Sequence, residues 1–215
     1  EGDIEMITQL LQAEMERWRA ERPPKGMPPS VWQGIQGVEL VEVGRDVRGI
    51  ETGHMVFIAP NIGCGHCRQC AAGRNNLCPD YDAFGITLDG GFGEYMRVTA
   101  GAIEQGNVIP LDPAADPAAM ALAEPLACVL HGQDALDVGP GDVVLIQGAG
   151  PIGIMHLLMA KARGATRVIL SDRLPERLAK AAELGADRTV DISAEDLSRV
   201  IGETPGGTGA DVVIV

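Results

Sequence analysis

Apolar positions follow three rhythms along the chain. Ile4, Ile7, Leu11, Met15 and Trp18 recur at spacings of three and four, with Glu, Gln and Arg between them, which predicts an amphipathic helix over residues 4–20. Such a stripe suits docking on the protein's own core or on a partner. Pro23, Pro24, Pro28 and Pro29 cannot continue it, so residues 21–30 read as a linker or irregular loop. From Gly37 the pattern becomes short β-rich pieces, Val38–Val43, Met55–Ala59, Gly93–Val98 and Asn107–Pro110, which predict a small β domain. Residues 113–132 are alanine-rich and read as helical, punctuated by Glu124-Pro125. Thereafter strands and helices alternate: strand Val143–Ile146, helix Ile154–Ala162, strand Arg167–Ser171, helix Pro175–Leu184 closed by Gly185, strand Thr189–Ile192, helix Ala194–Ile201 and strand Ala210–Val215. The fold class expected is α/β, a β domain followed by about four of the six strands of a doubly wound parallel sheet.

Composition narrows the function classes. With 46% hydrophobic residues the chain has enough apolar mass for a real core, and no apolar run has the length of a membrane span. The acidic start lacks the pattern of a secretory signal, so the expected compartment is cytoplasmic, with no membrane partner. Thirty acidic against 17 basic residues, a net charge of −13 and 3% aromatics argue against a nucleic-acid partner.

Cysteine is concentrated rather than scattered. Cys64, Cys67, Cys70 and Cys78 lie in one polar, glycine-punctuated loop at spacings x2, x2, x7, and Cys128 is the remaining cysteine. Two disulfides or four unrelated thiols do not explain this clustering, whereas a tetrahedral zinc site does. Four protein ligands leave no open coordination position, so this metal holds a lobe together and does no chemistry. Binding of such an ion is worth about 10–16 kcal/mol, so the loop is expected to be ordered only with metal. His66, between the ligands, and His54 read as surface residues.

A second constellation follows the strand at 143–146. Gly148-Ala149-Gly150-Pro151-Ile152-Gly153 is GxGxxG between a strand and a helix. Gly148 allows the tight turn, Gly150 lets the backbone approach a pyrophosphate and Gly153 lets the helix pack on the strand. The helix N-terminus then offers its unpaired N–H groups to the phosphates. Asp172, at the end of the next strand, can accept from ribose hydroxyls and repels a 2′-phosphate, which favours NAD over NADP. Arg173 beside it either softens that choice or is a solvated surface charge.

Taken together, Val41-Glu-Val-Gly44, the four-cysteine lobe, Gly90-Gly-Phe-Gly-Glu-Tyr95, Glu124-Pro-Leu126 and Gly148–Gly153 resemble the zinc-dependent medium-chain dehydrogenases. The similarity is strongest to their sorbitol, polyol and threonine dehydrogenase branch, and covers roughly Gly37 to Val215. It implies an atypical helix and proline-rich linker over 1–36, a GroES-like domain over 37–130 with its zinc lobe at 64–78, and a partial Rossmann NAD-binding domain over 131–215. It implies hydride transfer from a secondary alcohol of a small alcohol or polyol to NAD, a second and catalytic zinc in a cleft, and possible homo-oligomers. Glu124 matches the position where that branch places a glutamate near the catalytic metal, and is the catalytic and metal-ligand candidate; a helix-terminal carboxylate is the alternative. The expected Gly-His-Glu ligand pair is replaced by Val31-Trp-Gln-Gly34, and no cysteine precedes Cys64. His131 is expected either near the cleft or in the core, and Cys128 in the core. The competing function is a non-catalytic zinc- and nucleotide-binding module.

Overall fold

The computed structural model describes residues 38–204 and 209–215, which divide between Leu122 and Ala123 into two compact units. The helix expected at 4–20 and the linker at 21–30 lie outside the described residues.

The first unit contains β1 (Val38–Glu39), β2 (Met55–Ile58), β3 (Asn61–Ile62), α1 (Arg68–Ala71), a 3-10 turn at Asn75–Leu77, β4 (Asp82–Ala83), α2 (Ala100–Glu104), β5 (Val108–Pro110) and α3 (Pro117–Met120). The strands form two antiparallel ladders, β1-β2-β5 and β3-β4. Val56 pairs with Val38 on one side and Pro110 on the other, and is fully buried. Thr99 starts α2 by accepting the Ala102 N–H through its hydroxyl at 3.3 Å, which supplies one of the donors a helix start leaves orphaned. Two strand expectations are corrected. Val38–Val43 shortens to β1, because only Val38 and Glu39 meet β2 in register. Gly93–Val98 is irregular: a strand needs a hydrogen-bonded neighbour, and no described segment pairs with it. It borders instead, with Leu40–Gly44, an open groove of about 1100 Å³.

In the second unit, α4 (Ala123–Ala135) leads into β6 (Val143–Gln147), α5 (Pro151–Ala162), β7 (Arg167–Asp172), α6 (Pro175–Glu183), β8 (Arg188–Asp191), α7 (Leu197–Gly202) and β9 (Val212–Ile214). Glu124-Pro125 sits in the first turn of α4, where a missing N–H costs no helix bond. All four strands are parallel in the order β8-β7-β6-β9, which is the 3-2-1-4 arrangement of the first part of a doubly wound sheet. Val144, Ile146, Val168 and Leu170 pack with Leu157, Ala160, Leu178 and Ala181, while Leu145, Ile169 and Val190 pack with Leu197 and Val200. Alternate residues therefore serve opposite covered faces, which is why these strands read as unbroken apolar runs. Helix α7 begins at Leu197 rather than at Ala194 because Asp196 caps it, accepting from the Ser198 and Arg199 N–H groups at 2.9 and 3.4 Å. Among the described residues no helix is long and apolar enough to cross a membrane.

Candidate functional site

The cysteine loop runs from the end of β3 to the start of β4. Cys67 caps α1, its sulfur accepting the Cys70 N–H at 3.4 Å, and the sulfur of Cys78 accepts the Cys64 N–H at the same distance. All four sulfurs lie within 4.8 Å of one another, with Cys67 3.5 Å from Cys70 and 3.8 Å from Cys78. Zinc–sulfur bonds of about 2.3 Å in a tetrahedron require edges near 3.8 Å, so this cluster fits the ion. The cysteines are free thiols, far from the ~2.05 Å of a disulfide. Backbone N–H groups of His66 and Cys67 pull the Cys64 thiol down to about 6, while burial pushes Cys70 up to about 11. Sulfurs so close cannot all ionise together unless a cation joins them. His66 is exposed, its Nδ1 2.8 Å from the Cys64 carbonyl, and His54 is exposed as well.

The glycine loop connects β6 to α5. Gly148 has φ +112°, in the region that favours glycine, and donates its N–H to the Ser171 carbonyl at 2.7 Å. A Cβ on Gly153 would collide with the Gly148 carbonyl oxygen, so only glycine closes this turn. Gly150 differs. Its backbone is extended, and a Cβ there would meet only the Arg177 guanidinium, at 3.8 Å. The protein itself leaves that space open, as a pyrophosphate cradle requires. No side chain caps α5, Pro151 carries no N–H, and the first helical bond runs from Ile154 to Gly150 at 2.9 Å. The N–H groups of Ile152 and Gly153 precede that bond and point where an anion is stabilised.

Asp172 is integral to the loop. Its Oδ2 accepts the Ala149 N–H at 2.8 Å, and its Oδ1 accepts the Arg173 and Leu174 N–H groups at 2.7 and 3.0 Å. Burial alone would raise its pKa, but the three donors and Arg177 outweigh it and hold the carboxyl below the usual range. The cation at this carboxylate is Arg177, whose Nη1 is 3.7 Å from Oδ2, whereas Arg173 contributes its main chain and leaves its residue exposed. Sequence reading missed Arg177. The available signal was its place in the first turn of the helix after the acidic strand end, aimed back at that end.

Glu124 lies half-buried in the first turn of α4, its Oε1 accepting from Cys128 Sγ at 3.4 Å. The four lobe cysteines are the only group of three or more potential ligands among the described residues. Glu124 belongs to no such group among the described residues. Cys128, expected in the core, and His131, expected either near the cleft or in the core, are exposed, because α4 buries the face of Val129 and Gln133. The half-buried histidine is His156 on α5, whose main-chain carbonyl and Nδ1 both face the Gln133 amide nitrogen, at 2.9 and 3.2 Å.

Known proteins resemble both parts of the chain. A model of the alcohol dehydrogenase GroES-like domain matches residues 3–110, and a zinc-binding dehydrogenase model matches residues 151–215. An L-threonine 3-dehydrogenase of Alteromonas mediterranea is 39% identical over 175 residues, covering 81% of this chain and 49% of the relative. The L-galactonate-5-dehydrogenase of Escherichia coli K12 is 34% identical over 218 residues, covering 99% and 62%. A structure from Sinorhizobium meliloti 1021 solved with NADP is 42% identical with a TM-score of 0.69, over 80% of this chain and 50% of that one. The chain thus spans about half the length of such relatives. A GroES-like unit with a four-cysteine lobe, followed by a glycine-loop Rossmann sheet, identifies this chain as a member of the zinc-dependent medium-chain alcohol dehydrogenase family.

Proposed function

We propose that this chain is the zinc-lobe and nucleotide-binding part of an NAD-linked dehydrogenase that oxidises a secondary alcohol of a small polyol, hydroxy acid or hydroxy amino acid. The observation that carries this reading is the convergence of the Gly148–Gly153 loop, the free first-turn N–H groups of α5 and the charged Asp172 at the carboxyl ends of the neighbouring strands β6 and β7. In this reading the Ile152 and Gly153 amides bind the pyrophosphate, Gly150 lets it approach, and Asp172 accepts from the adenosine ribose. Bound NAD supplies the hydride acceptor. Cys64, Cys67, Cys70 and Cys78 hold the structural zinc, which fixes the loop and has no position left for substrate. Names of the relatives support threonine-like and sugar-acid substrates as the first to try.

The lack of a second ligand cluster around Glu124 among the described residues favours one further reading, a zinc- and nucleotide-binding module without turnover. One experiment separates the two. Metal content, calorimetric titration with NAD and NADP, and NADH formation with L-threonine, L-galactonate and a polyol panel are measured on the same preparation. Binding with turnover supports the dehydrogenase, and binding with one zinc and no turnover supports the module. Absence of nucleotide binding overturns both.

A further inference from the structure

The ends of the cysteine loop are joined by groups that are not ligands. Asn107, 4% exposed, stands immediately before β5. Its Nδ2 donates to the Ala59 and Asn61 carbonyls at 2.8 and 2.7 Å, and its own carbonyl accepts the Ala59 N–H at 2.8 Å. These partners are 48 and 46 residues away in sequence, so the bonds tie the root of the lobe to the β2–β5 ladder. Asn61 passes the connection on, its Oδ1 accepting the Tyr81 hydroxyl at 2.6 Å. The β3–β4 pairing of Asn61 with Ala83 and Ile62 with Asp82, and a 3.2 Å bond from the Phe84 N–H to the Pro60 carbonyl, close the same junction. Gly63 alone separates Cys64 from β3, and Cys78 lies three residues before Tyr81. The junction therefore holds the first and last sulfurs at the two ends of a loop already shut.

We propose that Asn107, Asn61 and Tyr81 are positioning residues for the lobe zinc: they close the Cys64–Cys78 loop before the ion arrives, so the metal orders only the residues between. The proposal rests on the zinc reading of the four-cysteine cluster. Its physical basis is loop entropy: ends held by protein bonds need not be brought together by the metal, and the affinity gains what closure would have cost. The earlier expectation of a loop ordered only with metal then applies to residues 65–77 and not to their flanks. Asn107 suits the task because a buried amide with both Nδ2 hydrogens used is a satisfied polar group and a rigid one.

The test uses the full chain. Zinc affinity is measured by competition with a chelator of known affinity for wild type, Tyr81→Phe, Asn61→Ala, Asn61→Asp and Asn107→Ala. Tyr81→Phe and Asn61→Ala are expected to weaken zinc about fivefold, the worth of one hydrogen bond, and Asn107→Ala more than tenfold. Asn61→Asp keeps an acceptor for Tyr81 and is expected to bind as wild type does. The cobalt-substituted forms are expected to share one thiolate absorption spectrum, since no ligand changes. Hydrogen exchange on metal-stripped wild type is expected to leave the Ala59 and Phe84 amides protected while residues 65–77 exchange freely. If Asn107→Ala does not fold, Tyr81→Phe and the Asn61 pair carry the test. Wild-type zinc affinity in Tyr81→Phe and Asn61→Ala, or loss of Ala59 and Phe84 protection on stripping, overturns the proposal. If wild type binds neither zinc nor cobalt, the zinc reading fails instead, and the exchange pattern of the metal-free chain still reports whether the junction closes alone.

Discussion

Replacing Asp172 with Asn changes one atom of the side chain and separates its two roles. The Asn carbonyl can still accept from the Arg173 and Leu174 N–H groups, as neutral bonds in place of charge-assisted ones. At the Oδ2 position, however, an NH₂ group would face the Ala149 N–H, a donor against a donor. Leaving that backbone N–H unsatisfied costs about 1–3 kcal/mol, and the weakened bonds about 1 kcal/mol more. Arg177 is half-exposed and 3.7 Å away, so its lost ion pair adds at most about 1 kcal/mol. A total of about 2–5 kcal/mol is expected at pH 7. In urea, with a slope near 2 kcal/mol/M, the midpoint read by circular dichroism falls by about 1–2.5 M. Because the folded carboxyl titrates below its ordinary value, its contribution is complete above about pH 4 and is lost as pH falls through the folded pKa. Wild type and variant are therefore expected to converge in acid. The variant is also expected to bind NAD more weakly and to discriminate less against NADP. An unchanged urea midpoint at pH 7 would show that the Ala149 contact carries no weight, and an undiminished gap in acid would show that the charge is not its source.

Gly153→Ala drives a methyl group into the Gly148 carbonyl; about 3 kcal/mol of overpacking and a loss of NAD affinity above tenfold are expected, measured by urea unfolding and calorimetry. Prolonged chelation is expected to release one zinc per chain, detected by elemental analysis, and to make residues between Cys64 and Cys78 protease-sensitive while α5 and its sheet stay resistant. Burial holds His156 below its ordinary pKa, so the unfolded chain binds more protons below about pH 6.5 and stability falls from there down to the folded pKa. His156→Asn places a carbonyl oxygen near the Nδ1 acceptor without titrating, and its urea midpoint is expected to stay level across that range.

What sequence made legible depended on how local each cause is. Four cysteines within one loop state their ligand set directly, because spacing alone brings the sulfurs together. The βαβ units were legible since each strand, turn and helix carries its own period, while Gly148 answers its own left-handed backbone and Gly153 the Gly148 carbonyl a few positions away. Gly93–Val98 has the composition of a strand but finds no described partner, and pairing is a property of two segments, not of one. Arg177 was hidden because its significance lies in reaching back to Asp172 and Gly150, while Arg173, adjacent in sequence, offers only its main chain. Cys128 and Gln133 show the same limit: which face of α4 is covered was set by α5, against the polarity of Gln133 itself.

The strand order has a consequence in time. β6 is central, with β7 on one side and β9 on the other, yet Val143 and its partner Asp211 are 68 residues apart. On a ribosome adding about 5–20 residues per second, β6, α5 and β7 emerge and can join roughly 2–8 s before β9 is made. Through that interval the Val143–Ile146 edge is an open, apolar pairing template. The side of β6 that ends up sealed is thus, during synthesis, the part of this sheet most exposed to a wrong neighbour.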